Sequence, residues 1–472
     1  MTNIAFNIFR GYDIRAKVPE ELNEKVVRLI TKAFATLLYR RQINQTVLVH
    51  DNRLTAEEFK KYVIEELLKA GVDVIDNGLG LSQTMYFSQY HYLVKAGIMI
   101  TASHNSKEYN GFKLATGFSD TLVTEEIQEL VDIIKKDDFV KFDRKAKLIT
   151  DNVFPYYLKD LKKRIALKQK FKIVVDGCNG PAGKFLPLIF RTFNCEVIEQ
   201  NCHLDGNFPS GTADPTERTV MERLAKRVIK EKADIGFAYD TDGDRIGIVD
   251  NNGRYVWNDI LVAIFAKDIL SHMKGAKIIF NTLCSKAVSD TIKQFGGQPI
   301  IWLTGHSFIK AKLKEERAPF GGELSGHFFF MDNFYGHDDG AYTSLRLLQF
   351  LDRRRLLLSE AIDEMPKYIS SPEIKLGLAD EIKFKFIDTK ITADFKNLFG
   401  SKAKYLSIDG IRVDTKDEMA IIRASQNGPY ITIKFEAKNK EKYEALRKAI
   451  SKILHSYKEI DFSSGVNTQE LA

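Results

Sequence analysis

A hydroxyl and an imidazole stand side by side in one polar segment of the chain, at Ser103 and His104. The apolar run before them, residues 97–100, is typical of a buried strand that leads into a loop. Adjacent side chains on an extended chain diverge, so we do not expect a Ser-His-Asp triad built on this pair. An isolated serine at a strand end is more often a turn residue, but this one is also placed to act in phosphorylated form.

Three carboxylates lie within one short segment, at Asp240, Asp242 and Asp244. Apolar runs flank them, so the sequence predicts a tight loop between two strands, in which the repulsion of the charges requires a cation. An EF-hand is excluded, because its sixth and twelfth positions should be Gly and Glu and are Arg245 and Asn251 here. Oxygen ligands without nearby Cys or His favour magnesium, or manganese, over zinc and leave room for a phosphate oxygen.

Three further loops suit sugar and phosphate groups. Residues 304–310 and 321–327 mix donors, acceptors and glycines, and Glu323 and Ser325 have the alternating spacing to reach two neighbouring hydroxyls. Residues 423–429 combine an arginine fork, a hydroxyl, two amides and a tight turn, which suits a phosphate dianion. The histidines of the first two loops are equally compatible with core positions, so each loop alone is only moderately specific.

The elements that must position these loops follow a repeated pattern. Strand, helix and strand occur in this order over residues 46–75, 172–198 and 277–303. This order favours parallel pairing, and parallel sheets place their ligand loops beyond the carboxyl ends of the strands. Short strands and an amphipathic helix over residues 420–453 break the pattern. The sequence therefore predicts three similar α/β units followed by a smaller α+β domain.

Composition narrows the class of protein. The 472 residues are 44% hydrophobic and 28% charged, and the net charge of +7 suits small anionic ligands better than nucleic acid. The first residues lack the apolar core of an export signal, and no apolar run is long enough to cross a bilayer. The four cysteines have neither zinc-ligand spacing nor the density of a disulfide scaffold. We therefore expect a cytoplasmic protein with reduced thiols that binds neither nucleic acid nor membrane.

Five motifs, FRGYDIR, TASHN, DTDGDR, GELSGH and RASQNGP, stand in the order found in the alpha-D-phosphohexomutase family. The chain closely resembles the bacterial phosphomannomutase/phosphoglucomutase branch of that family over nearly its whole length. The resemblance implies an α/β fold of three related domains with mixed sheets and a C-terminal α+β domain like that of TATA-binding protein, around a central cleft. We place the phosphoserine, metal, sugar and C-terminal phosphate-binding domains at residues 1–150, 151–253, 254–367 and 368–460, before a tail over 461–472 that we expect to be frayed from Ser463.

The same resemblance implies an isomerase that interconverts hexose 1-phosphate and hexose 6-phosphate of mannose or glucose. Phosphorylated Ser103 would give its phosphoryl group to the sugar and form a sugar 1,6-bisphosphate, with Mg²⁺ held by Ser103 and the three aspartates. The groups implied around the phosphoryl group are Arg15, His104, Lys113, Arg245 and His327, of which Lys113 and His327 are alternatives for proton transfer. The implied substrate contacts are Tyr12, Thr304, Gly305, His306, Glu323, Ser325, His327, Arg423, Ser425, Gln426 and Asn427. Sugar phosphates are the only partners implied, and we expect a monomer.

The chain departs from the family pattern at the second phosphate. Close relatives carry a phosphate-binding lysine where this chain has Leu283, and Gln426-Asn427 replaces the usual Asn-Thr. Leu324 is closer to the Met of the mannose/glucose branch than to the Gln of glucosamine mutases. A metal-dependent phosphohydrolase and a non-catalytic sugar-phosphate sensor are the rival hypotheses.

Overall fold

A computed structural model describes residues 4–426 and 428–472, which form two compact units. The first unit comprises the chain up to Asn258 together with Ser325–Asp363, and the second comprises Asp259–Leu324 and Glu364–Ala472. Within the described ranges, no helix is both long enough and apolar enough to cross a membrane.

Helices and strands alternate along most of the chain. The strands are β1 (Ile14–Lys17), β2 (Gln45–His50), β3 (Asp73–Leu79), β4 (Ala96–Ile100), β5 (Tyr109–Gly117), β6 (Asp120–Thr121), β7 (Leu148–Thr150), β8 (Lys172–Asp176), β9 (Glu196–Gln200), β10 (Ile235–Tyr239), β11 (Ile246–Asp250), β12 (Tyr255–Val256), β13 (Lys277–Asn281), β14 (Gln298–Trp302), β15 (Phe320–Gly322), β16 (Phe328–Phe330), β17 (Ile369–Ser370), β18 (Ile374–Gly377), β19 (Lys404–Leu406), β20 (Ile411–Asp414), β21 (Glu418–Ala424), β22 (Tyr430–Ala437) and β23 (Asp461–Val466). The helices are α1 (Glu24–Arg40), α2 (Ala56–Lys69), α3 (Ser82–Tyr92), α4 (Thr124–Lys136), α5 (Phe154–Arg164), α6 (Pro181–Thr192), α7 (Arg218–Glu231), α8 (Asn258–Leu270), α9 (Lys286–Gln294), α10 (His306–Glu316), α11 (Gly340–Arg354), α12 (Leu358–Asp363), α13 (Lys383–Phe386), α14 (Thr392–Phe399) and α15 (Lys440–His455).

The first unit contains two mixed sheets. In one, β2 pairs in parallel with β3 and β4, while β5 runs antiparallel to both β4 and β1. In the other, β8 pairs in parallel with β9 and β10, and β11 runs antiparallel to β10. The parallel pairing predicted from the strand order is confirmed, and the antiparallel strands that complete each sheet make both sheets mixed. The loops after β4 and β10 therefore leave the carboxyl ends of buried strands.

The second unit contains three parallel strands of one sheet and a larger antiparallel sheet. Strand β13 pairs in parallel with β14 and β15. The antiparallel sheet has the order β19-β20-β21-β22-β18-β23, and helix α15 packs against β22. The inward residues of α15, which include Leu446 and Ile450, join the core of this sheet. The C-terminal part of the chain is thus rich in β structure, as the break in the strand-helix pattern indicates.

The prediction of a frayed tail is wrong. Strand β23 pairs antiparallel with β18, and Ser451 Oγ on α15 donates a hydrogen bond of 2.6 Å to the Leu471 carbonyl. The Leu471 side chain is buried in the core of the antiparallel sheet. The small polar residues of this segment resemble a disordered end, but backbone pairing with a strand distant in sequence fixes them.

Helix α11 begins at a buried carboxylate. The Asp339 side chain accepts hydrogen bonds from Tyr342 N, at 2.8 Å, and from the Tyr157 hydroxyl, at 2.7 Å. Burial raises the pKa of Asp339 to about 7, although both hydrogen bonds oppose this rise. Ionisation of Asp339 therefore costs folding free energy in the native protein.

This cost predicts a pH dependence that Asp339→Asn should remove. The folded-state pKa is raised, so the stabilisation by the protonated acid is complete below the ordinary carboxyl pKa and is lost as pH rises through about 7. Asparagine is an equally good N-cap and does not ionise. Between pH 5 and 8 we expect the free energy of unfolding of Asp339→Asn to rise relative to wild type by on the order of 3 kcal/mol. Urea unfolding of both proteins at each pH measures this difference, and parallel pH curves would contradict the assignment.

Candidate active site

Ser103 lies in the loop after β4 with a left-handed backbone conformation, φ 50°. Its side chain is buried, and Ser103 Oγ donates a hydrogen bond of 2.7 Å to Asp240 Oδ2. Because the chain is not extended here, the hydroxyl and the His104 imidazole do not diverge: Ser103 Oγ lies 3.2 Å from His104 Nδ1. The prediction that these side chains point apart is wrong. Ser103, His104 and Asp214 do not form a triad, since His104 Nε2 lies 3.9 Å from Asp214 Oδ2, beyond hydrogen-bond distance.

Arg53, which lies in none of the five sequence motifs, binds the backbone of the loop that contains Ser103. Its guanidinium is buried and lies 3.2 Å from Asp51 Oδ2 through Nε. It donates four hydrogen bonds of 2.6 to 2.8 Å to backbone carbonyls of the loop, those of Ser103, Asn105, Ser106 and Tyr109. The only signal in the sequence is the polar run Asp51 to Arg53 directly after the apolar strand β2.

Replacing Arg53 with lysine should loosen this loop. An ammonium has three donors and no planar fork, so it cannot satisfy the four carbonyls. We expect kcat/KM to fall roughly 10- to 100-fold, because Ser103, the predicted phosphoryl carrier, loses its fixed position. Steady-state assays and hydrogen exchange of residues 103–109 would measure both effects. Arg28→Lys, at a half-buried arginine paired with glutamates, is the control and should change neither. Wild-type exchange and activity in Arg53→Lys would refute the role.

The three aspartates predicted to bind a metal form one fully buried cluster. Ligand oxygens of Asp240, Asp242 and Asp244 all lie within 4.8 Å of one another. Lys113 Nζ lies 2.7 Å from Asp242 Oδ2 and 2.5 Å from Asp244 Oδ2. Within the described residues, Asp242 Oδ1 and Asp244 Oδ1 have no hydrogen-bond partner. Buried carboxylate oxygens without donors suit a hard divalent cation, so the residues present fit a magnesium or manganese ion.

The protonation equilibria of this cluster reflect its crowding. Burial, followed by the charges of Asp242 and Asp244, raises the pKa of Asp240 well above its usual range. Burial opposes ionisation of Asp242 as well, but the Lys113 ammonium and its hydrogen bond hold the pKa of Asp242 below its usual range. Burial alone would lower the pKa of Lys113, yet the carboxylates raise it above that of a free lysine. Lys113 is therefore a firmly charged cation within the aspartate cluster.

Arg245 and His327 form a second buried pair in the same unit. Arg245 Nε donates a hydrogen bond of 2.9 Å to His327 Nε2, and His327 Nδ1 lies 3.0 Å from Asp338 Oδ2. Because arginine cannot accept, Nε2 must be unprotonated, and the ring proton lies on Nδ1 facing Asp338. This arrangement orients Arg245. Proton transfer by His327 would require the ring to release one of these partners.

Three further predicted site residues belong to the first unit: Arg15, Tyr12 and Ser325. Arg15 Nε pairs with Asp13 Oδ2 at 2.8 Å, and Arg15 Nη1 donates to Asn105 Oδ1 at 2.8 Å, so Arg15 contacts the Ser103 loop. Tyr12 is buried, and Ser325 is partly exposed.

The second unit contains the predicted sugar and distal-phosphate residues. Gly305 N donates a hydrogen bond of 2.7 Å to Glu323 Oε1, so one Glu323 oxygen supports the 304–306 loop. Arg423 Nε donates a hydrogen bond of 2.8 Å to Asp409 Oδ2. The Leu283 side chain is buried, and Arg412 Nη1 donates to the carbonyls of the two residues that flank it, Thr282 and Cys284. Thr304 and Gln426 are partly exposed, Gly305, His306 and Ser425 are buried, and Asn427 lies outside the described residues.

Comparisons with known proteins show the family to which the chain belongs. Family models for alpha/beta/alpha domains I, II and III of phosphoglucomutase/phosphomannomutase match residues 7–141, 155–253 and 257–368. The chain belongs to the phosphoglucomutase/phosphomannomutase family. It is 36% identical over 440 residues to a phosphomannomutase/phosphoglucomutase of Pseudomonas syringae, covering 93% of each chain. It is 33% identical to a phosphoglucomutase of Neisseria meningitidis, covering 97% of this chain and 98% of the relative.

Structural similarity agrees with this membership. A crystal structure of a phosphoglucomutase/phosphomannomutase family protein from Burkholderia thailandensis superposes with a TM-score of 0.89 at 33% identity, covering 96% of this chain and 98% of that one. The predicted family and fold class are confirmed: three α/β/α domains with mixed sheets precede a fourth, β-rich domain. The buried aspartate cluster supplies what a metal-dependent phosphohexomutase requires.

Proposed function

We propose that this phosphoglucomutase/phosphomannomutase family member is an isomerase that interconverts hexose 1-phosphate and hexose 6-phosphate of mannose, glucose or both. Its reaction uses phosphorylated Ser103 and a sugar 1,6-bisphosphate intermediate. The observation that supports the proposal is the hydrogen bond from Ser103 Oγ to Asp240 Oδ2, which joins the phosphoryl carrier to the carboxylate cluster. A sensor without catalysis needs neither group.

The residues around Ser103 suit phosphoryl transfer. As the bond from phosphorus to Ser103 Oγ breaks, a bond to the attacking sugar oxygen forms, and negative charge spreads over the equatorial oxygens. Lys113, Arg245 and Arg15 stabilise that charge, while His104 stands beside Oγ. Mg²⁺ held by Asp240, Asp242, Asp244 and the Ser103 phosphate would supply further charge stabilisation when bound. Lys113 and His327 are the two groups proposed for proton transfer: the Lys113 ammonium can only give a proton, whereas His327 Nε2, once released from Arg245, can take the proton of the sugar hydroxyl.

A mutase must hold its bisphosphate while either end reacts. We assign the phosphate that is not reacting to Arg423, Ser425, Gln426 and Asn427, and the sugar hydroxyls to Glu323 and Ser325. Further sugar contacts are assigned to Tyr12, Thr304, Gly305, His306 and His327. All four cysteines are free thiols, which supports action in the cytoplasm, and we expect a monomer.

Coupled assays test the proposal directly. With Mg²⁺ and a sugar 1,6-bisphosphate as activator, glucose 1-phosphate or mannose 1-phosphate should give the 6-phosphate, with glucosamine 1-phosphate as the specificity control. A phosphate-release assay on the same samples separates the rival hydrolase. Release of stoichiometric inorganic phosphate without formation of hexose 6-phosphate would refute the mutase activity. Equal rates with Mg²⁺ and Mn²⁺ would show that the enzyme uses either ion.

A further inference from the structure

In the second unit, one carboxylate oxygen of Asp409 accepts hydrogen bonds from three donors. It lies in the turn between β19 and β20, and its side chain is only 6% exposed. Asp409 Oδ2 accepts hydrogen bonds from Thr282 Oγ1 at 2.9 Å, Thr304 N at 3.1 Å and Arg423 Nε at 2.8 Å. These donors come from three segments: the loop after β13, the loop after β14, and β21.

The backbone of the turn between β19 and β20 allows Asp409 to reach Arg423. Gly410 has φ 75°, in the left-handed region that favours glycine. A Cβ at this position would lie 2.2 Å from the Ile422 carbonyl oxygen and 2.6 Å from Arg423 Cα. Only a glycine lets the turn approach β21 this closely, so the sequence Asp409-Gly410 brings the carboxylate against Arg423.

The hydrogen bonds of Asp409 fix Arg423 and the 304–306 loop relative to each other. A guanidinium is planar, so a charge-assisted bond at Nε sets the direction of its outer nitrogens. The same Asp409 oxygen holds the backbone of Thr304, and the next residue, Gly305, donates to Glu323. One carboxylate thus links the proposed phosphate arginine to the loop that carries the proposed sugar contacts.

We propose that Asp409 is a positioning residue that aligns Arg423 with the 304–306 loop for the phosphate that is not reacting. This inference rests on the proposed function. It has particular weight in this chain, because Leu283 is buried and supplies no cation where close relatives carry a lysine. The orientation of Arg423 then decides how well the distal phosphate is held.

The test compares Asp409→Asn with wild type on glucose 1-phosphate and mannose 1-phosphate. A phosphate grip used equally in ground state and transition state affects KM more than kcat. We expect KM to rise roughly tenfold or more, with a much smaller change in kcat. In an Arg423→Met background the same substitution should add much less, because Asp409 then holds only the loop that carries Thr304. The control is Asp259→Asn, at a buried aspartate 2.7 Å from Lys434 Nζ, which should lower stability but leave KM unchanged.

Each outcome decides the inference. A wild-type KM in folded Asp409→Asn, or a full additional effect in the Arg423→Met background, would overturn it. If Asp409→Asn does not fold, Asp409→Glu displaces the carboxylate by one methylene and should still raise KM, and a wild-type KM there overturns the inference. If wild type isomerises neither sugar phosphate, the proposed function fails separately. Calorimetric titration with glucose 1-phosphate then decides: weaker binding by the variant supports positioning, and equal or absent binding refutes it.

Discussion

Ser103→Ala should lower kcat for hexose phosphate isomerisation by roughly 10⁴-fold or more, because it removes the oxygen proposed to carry the phosphoryl group. Ser103 Oγ is the hydroxyl that donates to Asp240, whereas the Ser82 hydroxyl donates to Asp242 instead. Intact-mass measurement after incubation with sugar 1,6-bisphosphate should show one added phosphoryl group on wild type and none on the variant.

Ser106→Ala is the matched control for this prediction. Ser106 lies in the same loop, but its side chain is exposed, and it is the backbone carbonyl of Ser106 that accepts from Arg53. This variant should keep both the added phosphoryl group and the activity. Phosphorylation or turnover that persists in Ser103→Ala would rule out Ser103 as the carrier.

Asp242→Asn should have the second largest effect, on both metal affinity and rate. The substitution keeps the shape of the side chain but removes one of three negative charges, and its Oδ1 is one of the two carboxylate oxygens described above as lacking a hydrogen-bond partner. We expect Mn²⁺ or Mg²⁺ affinity and kcat each to fall by roughly 10²-fold or more. Calorimetric titration with either ion and assays at saturating metal separate weaker binding from slower chemistry.

Asp250→Asn controls for the loss of a buried charge. Asp250 ends β11, is fully buried and pairs with Arg254 Nε at 2.6 Å, but it is not a member of the carboxylate cluster. Its substitution should reduce stability without changing metal affinity. If Asp242→Asn binds metal as tightly as wild type, the aspartate cluster is not the metal site.

The local sequence reveals the parts of the site that are contiguous. Asp240, Asp242 and Asp244 occupy one loop, so their repulsion is evident from spacing alone, and Ser103 stands at a visible strand end. The family resemblance implies a role for Lys113 at the phosphoryl group. Its contact with two of the aspartates depends on the pairing of strand β5 with β4, which the local sequence does not reveal. The elements with strong apolar periodicity were likewise predictable, because burial of parallel strands demands it.

Other parts depend on contacts between distant segments, which one sequence does not encode locally. Arg53 is fifty or more positions from each carbonyl it holds. Asp409 meets donors as far away as Thr282, and β23 is ordered by pairing with β18. The direction of His104 followed from the φ of a single residue, which the assumption of an extended chain got wrong.

That backbone angle also restricts which hydroxyl amino acid can serve here. Threonine has the same nucleophilic oxygen as serine and accepts a phosphoryl group equally well in chemical terms. At φ 50°, however, a β-branched side chain meets steric conflict that serine largely avoids. The identity of the proposed phosphoryl carrier is therefore selected by the shape of the loop as well as by its chemistry, and exchange of the two amino acids at position 103 is not conservative.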